Sequence, residues 1–240
     1  MKAINILFSR SFFSQGFGLF FLLMALIWLQ LIILLICYGN SQSTILLNSF
    51  HISWLDHPLF WVAQGSCSYI VTSGVVIALA RRAPAYSLTA ILASLFSWYA
   101  CITIQYNHFQ HWKAPVTSVL ANSAVQPELN FPSVQAAVVT CLAIYLSWCF
   151  TESFKYAFIF WLVALLLMYS RIYLGWAYVS DVLAGNVLGT IMAICCILWL
   201  PERLERWYER RSKWWQDMII AIMRTAAICT VFVNLKYFIL

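Results

Sequence analysis

The chain has 240 residues, of which 63% are hydrophobic and only 9% are charged, with a formal net charge of +6. Ordinary soluble domains are near half apolar and about a quarter charged, so this composition excludes a soluble globular protein and points to a membrane bundle. Nothing in it resembles a separate soluble domain or a nucleic-acid-binding element, so no nucleic-acid partner is expected.

Crossing the hydrocarbon core takes about 20 apolar residues in a helix. Such runs occur at Phe17–Cys37, Leu59–Leu79, Ala85–Ile104, Ser133–Phe150, Phe154–Ser170 and Ser180–Leu200, with a weaker seventh at Met218–Leu240. The first run follows Lys2 and Arg10 but is too long for a signal-peptide core and lacks a small-residue cleavage site, so it reads as a retained helix. The seventh carries Arg224 and Lys236 toward opposite ends, which lets it either span with both side chains snorkelling or lie along the surface.

Basic residues between the runs set the orientation. With the N-terminus inside, the cytoplasmic segments hold ten (Lys2, Arg10, Arg81, Arg82, Lys155, Arg203, Arg206, Arg210, Arg211, Lys213), against Lys113 and Arg171 outside. This bias predicts a cytoplasmic N-terminus and suits a bacterial inner membrane. It also places the longest connection, Gln105–Pro132, and the short Arg171–Val179 on the same extracytoplasmic side. The stretch Pro201–Asp217 mixes both signs with four aromatics and reads as an interfacial cytoplasmic helix, or as a docking helix for a membrane-protein partner.

The eight cysteines all lie in or beside apolar runs without metal-ligand spacing, so they read as small buried hydrophobes. No metal and no cofactor is called for.

The segment SRIYLGWAYVSDVLAG, Ser170 to Gly185, resembles the last signature of the type-2 phosphatidic-acid phosphatase superfamily, which also includes vanadium haloperoxidases. That signature is Ser-Arg, five residues, His, three residues, Asp, often followed by Val-x-x-Gly. Ser170, Arg171, Asp181, Val182 and Gly185 fall at the matching places. FPSVQA is similar to the family's Pro-Ser-Gly-His at a helix start, with Pro132 and Ser133 matching. The earlier Lys…Arg-Pro signature has only a weak echo within Gln105–Pro115. The resemblance implies an all-α polytopic bundle, with a six-helix phosphatidic-acid-phosphatase-like core over 1–200, followed at 201–240 by the charged helix and the seventh apolar segment.

It also implies a chemistry. In the family a histidine attacks phosphorus, an Asp orients it, a second histidine protonates the leaving oxygen, and cations with backbone N–H groups hold the phosphoryl oxygens. In this chain the nucleophile's place is taken by Ala177, the acid's by Gln135 and the intervening Gly's by Val134. Gln105 stands near the place of the Lys, and His111 or Lys113 near that of the Arg. A methyl group has no lone pair to attack with, and an amide cannot give up a proton as a general acid. Removing the nucleophile from such a concerted unit costs on the order of a millionfold. The inherited hydrolysis is therefore expected to be absent.

What survives is a vestigial phosphate site: Ser133, Gln135, Ser170, Arg171 and Asp181, able to seat a lipid or isoprenoid phosphate. The plainer alternative is that Arg171 pairs with Asp181 and only joins two helices. Three functions follow: a silent lipid-phosphate binder, a structural subunit of a membrane complex, or an active phosphatase on phosphatidic acid or undecaprenyl diphosphate rebuilt around His108 or His111. Tyr173 and Tyr178 read as interfacial tyrosines without a catalytic part.

Overall fold

A computed structural model describes residues 16–49, 52–65, 67–108, 131–150 and 154–239. Among these the chain is an all-α bundle with no strand. In chain order the helices are α1 (Gly16–Asn48), α2 (Asp56–Gly65, after a 3₁₀ turn at Ser53–Leu55), α3 (Ser68–Leu79), α4 (Pro84–His108), α5 (Val134–Cys149), α6 (Phe154–Tyr173), α7 (Val179–Trp199), α8 (Pro201–Glu209) and α9 (Lys213–Ile239).

Five of them are long and apolar enough to cross a membrane: α1, α4, α6, α7 and α9. The α2–α3 pair makes a sixth if counted as one bent span, and α5 is apolar but shorter. The expected seventh run thus forms part of one long apolar helix with Lys213 and its neighbours.

The run expected at Leu59–Leu79 is not one straight helix. It breaks between α2 and α3 with a bend of 74°. The residues there, Gly65-Ser66-Cys67-Ser68, are small or poor helix formers, so little local preference opposes a break. The bend leaves the first turn of α3, Ser68 to Thr72, beside a cavity in the bundle.

At 33 residues α1 is about 50 Å long by helical rise, more than the hydrocarbon core needs. It kinks at Gly39, whose φ of 73° and ψ of 172° lie outside the helical region. The part beyond the kink turns over the α6–α7 connection. There Asn48 Nδ2 donates to the Tyr173 carbonyl at 2.7 Å, Thr44 Oγ1 accepts from the Val179 N–H at 3.3 Å, and Asn40 Oδ1 accepts from the Ser180 N–H at 3.3 Å.

The core centres on α5, whose residues from Ala136 to Tyr145 are all buried. Its closest neighbour is α7, and glycine is the reason. A Cβ on Gly185 would sit 2.5 Å from the Ser133 carbonyl oxygen, and one on Gly189 would overlap the Ala137 carbonyl. Small residues four apart let two helix backbones meet, as membrane interfaces without a hydrophobic driving force require. Between them Thr140 Oγ1 donates to Asn186 Oδ1 at 2.7 Å, a polar link inside the apolar core.

Candidate functional site

The α6–α7 connection is short and tightly specified. Gly175 has φ 69°, the left-handed conformation that ends helices at a glycine. The Trp176 N–H donates to the Arg171 carbonyl at 2.9 Å and the Gly175 N–H to the Ile172 carbonyl at 3.0 Å, the paired pattern of a Schellman cap. The cap stops α6 directly after Arg171-Ile172-Tyr173 and returns the chain so that Ala177 comes back beside Arg171.

The start of α7 is fully engaged within the protein. Asp181 Oδ2 accepts from the Tyr178 N–H at 3.2 Å, Asp181 Oδ1 accepts from Ser180 Oγ at 3.1 Å, and the next two N–H groups bond to α1 as above. Burial holds the Tyr178 phenol above its ordinary pKa, with the Ser41 hydroxyl lowering it and Asp181 adding to the rise, so it stays neutral at physiological pH.

The start of α5 borders a cavity. Ser133 caps it, its Oγ accepting from the Ala136 N–H at 3.4 Å. Pro132 precedes it after a cis peptide bond, and its carbonyl accepts from Gln105 Nε2 at 2.9 Å. Early N–H groups of a helix have no acceptor within it, and this first turn opens onto a cavity.

That cavity has a volume of about 790 Å³ and runs between α3, α4, the α5 start and α9. One end is polar: Gln105, Ser133, Gln135 and Arg171 stand there with Ala177. Arg171, 3% exposed, brings a permanent cation to it and stacks at 5.7 Å on the ring of Trp176. Trp176 is backed in turn by Phe60 of α2, ring centroids 5.9 Å apart. The other end is apolar, lined by Val76, Ile91, Leu95, Ile222, Met223 and Ala227. The hydroxyls in that wall bond to helix carbonyls or to each other (Thr72 to Ser68 and across to Ser94, Ser94 to Ala90, Thr230 to Ala226), which leaves an oily surface.

Of the residues expected at the site, Ser133, Gln135 and Arg171 line this cavity. Ser170 and Asp181 do not. Ser170 Oγ donates to the Leu167 carbonyl at 2.8 Å, and Asp181 serves the α7 cap. His111 and Lys113 lie outside the described residues, and so does the side chain of His108.

Residues 96–205 match the PAP2 superfamily. This span, 110 of the 240 residues, is what places the chain with the PAP2 superfamily. The matched span runs from the middle of α4 into α8 and contains every described element of the polar end. No curated protein and no solved structure matched the chain. Members of this family act on lipid phosphates, and the long apolar helices make this PAP2 protein an integral membrane protein similar to lipid-phosphate phosphatases. The contribution of α3 and α9 to the cavity was missed by motif reading. Their lining residues carry no signature, and α9 lies beyond the matched span.

Proposed function

We propose that this PAP2 protein is a catalytically silent member that binds a lipid phosphate, its phosphate at the Arg171 end of the cavity and its hydrocarbon along α3, α4 and α9. One observation carries the reading: Ala177 and Gln135, where the family has its nucleophile and its acid, face the same cavity as Arg171. The cation and the helix start remain; the two groups that move electrons and protons do not. Phosphoryl oxygens are well met by a planar guanidinium and by N–H groups at a helix start. A phosphate whose alkyl or prenyl chain occupies the apolar end matches the cavity's division into one charged and one oily half.

Within this reading residues 1–200 form the phosphatase-like unit, and 201–240 add α8 and the helix that closes the cavity. The basic-residue count supports a cytoplasmic N-terminus and a cavity whose polar end faces outward, as in a bacterial inner membrane. The same placement leaves 201–240 available to a membrane-protein partner.

The test is phosphate release from phosphatidic acid and undecaprenyl diphosphate by the purified protein, beside an Ala177→His, Gln135→His double variant. No release by the natural chain, with activity gained in the variant, is the expected result. Turnover by the natural chain that disappears when His108 or His111 is replaced would overturn the proposal and reveal a rebuilt active site.

A further inference from the structure

At the other end of α7 from the cavity's polar end, about 30 Å away by helical rise, lies a second feature that this reading does not use. Helix α8 carries Arg203 and Arg206, with Arg210 as its C-cap and Arg211 just past it; with Trp207 these line a groove of about 520 Å³.

Residues 201–217 hold five basic and four acidic side chains, so the segment is nearly neutral as a whole. The charges are nevertheless sorted. At about 100° per residue Arg203, Arg206, Arg210 and Trp207 fall on one face, joined in the groove by Arg211, while Glu202, Glu205 and Glu209 centre roughly 130° away. Leu204, Tyr208 and buried Pro201 occupy the third face, toward the bundle. A signal for membrane orientation needs only a count of basic residues near the span; it has no need of a sorted face.

Three of the four arginines are also held in place. Arg203 stacks on Trp199 at 5.3 Å and Arg211 on Trp207 at 5.0 Å, and Arg206 Nε donates to the Glu202 carbonyl at 3.0 Å. Gln216 Nε2 donates to the carbonyls of Tyr208 at 3.1 Å and Arg211 at 3.0 Å, tying the end of α8 to α9.

We propose that this arginine face is a headgroup site for an anionic phospholipid of the leaflet at the α8 end of the bundle. Charge selects a phosphate; position selects a lipid. Helix α8 sits between two apolar helices that end and begin at the membrane boundary, flanked by the exposed Trp199, Trp214 and Trp215. Tryptophans of this kind sit at headgroup level, so the groove lies where lipid phosphates are densest. Planar guanidinium groups fixed against indole rings bind phosphate oxygens in a bidentate fork. The proposal does not depend on the cavity described above.

The experiment is native mass spectrometry of the purified full chain with phosphatidylglycerol or phosphatidylcholine added, in the natural background and in Arg171→Ala, so that cavity binding is separated. The expected result is one tightly held phosphatidylglycerol in both backgrounds, favoured over phosphatidylcholine. Affinity should weaken roughly fivefold for each of Arg203, Arg206, Arg210 and Arg211 changed to Gln. A fourfold Arg→Lys variant keeps the charge count and the membrane orientation; it should still lose preference, because the fork geometry is gone. Triple Glu→Gln substitution at Glu202, Glu205 and Glu209 should leave the preference in place. Equal retention of the two lipids, unchanged binding after the Arg→Gln series, or displacement by millimolar inorganic phosphate alone would each overturn it.

Discussion

The Ser133 N–H donates to the Asp181 carbonyl at 3.0 Å, joining the start of α5 to the first turn of α7. Two sequence signatures some 50 residues apart thus meet through their backbones. The bond holds the α5 start against the α7 start, and Gly185 keeps the way clear for it one turn further on. The Asp181 side chain meanwhile caps its own helix. It is therefore a positioning residue, separate from the cavity lining.

Replacing Asp181 by Ala removes that cap. A lost N-terminal cap costs about 1 kcal/mol. The thermal midpoint in detergent should fall, while binding of a lipid phosphate by the folded protein stays within about threefold of the natural chain. A selective loss of binding with an unchanged midpoint would show instead that the carboxylate acts on the ligand.

Arg171→Ala should weaken lipid-phosphate binding by about ten- to a hundredfold, the usual range for losing charge-assisted hydrogen bonds. Arg171→Lys should recover part of this, since the charge returns without the planar fork. Titration with a short-chain phosphatidic acid in detergent reads both.

Ala227 is 5% exposed and lines the apolar half of the cavity from α9. Ala227→Phe should reduce affinity for long-chain phosphates while leaving that for a water-soluble alkyl phosphate nearly unchanged. Equal losses for both ligands would argue against a chain-binding half.

Gly189→Ala would push a methyl group into the Ala137 carbonyl. Overpacking of this kind costs about 1–3 kcal/mol. The variant should show a lower thermal midpoint in detergent than Gly74→Ala, because an added Cβ at Gly74 meets nothing within 4 Å.

Binding should follow the ligand's own ionisation. A phosphate monoester gains its second charge near pH 6, whereas Arg171 stays charged throughout and the raised pKa of Tyr178 keeps that phenol neutral. Affinity measured by titration should therefore rise from about pH 5 to 7 and then level off. A bell-shaped profile would point to a titrating protein group at the site.

The membrane class, the approximate spans and the family were legible in the sequence because each is a local property. Apolar runs mark themselves, and Ser170-Arg171 with Asp181 and Gly185 keep their spacing on any fold. Tertiary structure decided the rest. Leu59–Leu79 has the composition of one span, yet its small residues at 65–68 permit the 74° bend that sets the first turn of α3 beside the cavity. Arg171 and Asp181 look alike as motif residues, but the Schellman cap at Gly175 leaves the first lining the cavity and the second closing a helix. The oily half of the site comes from Val76, Leu95 and Ala227 on three separate helices. An apolar side chain reads the same in a helical sequence whether it faces lipid or a ligand; only the packing of helices distant in the chain tells the two apart.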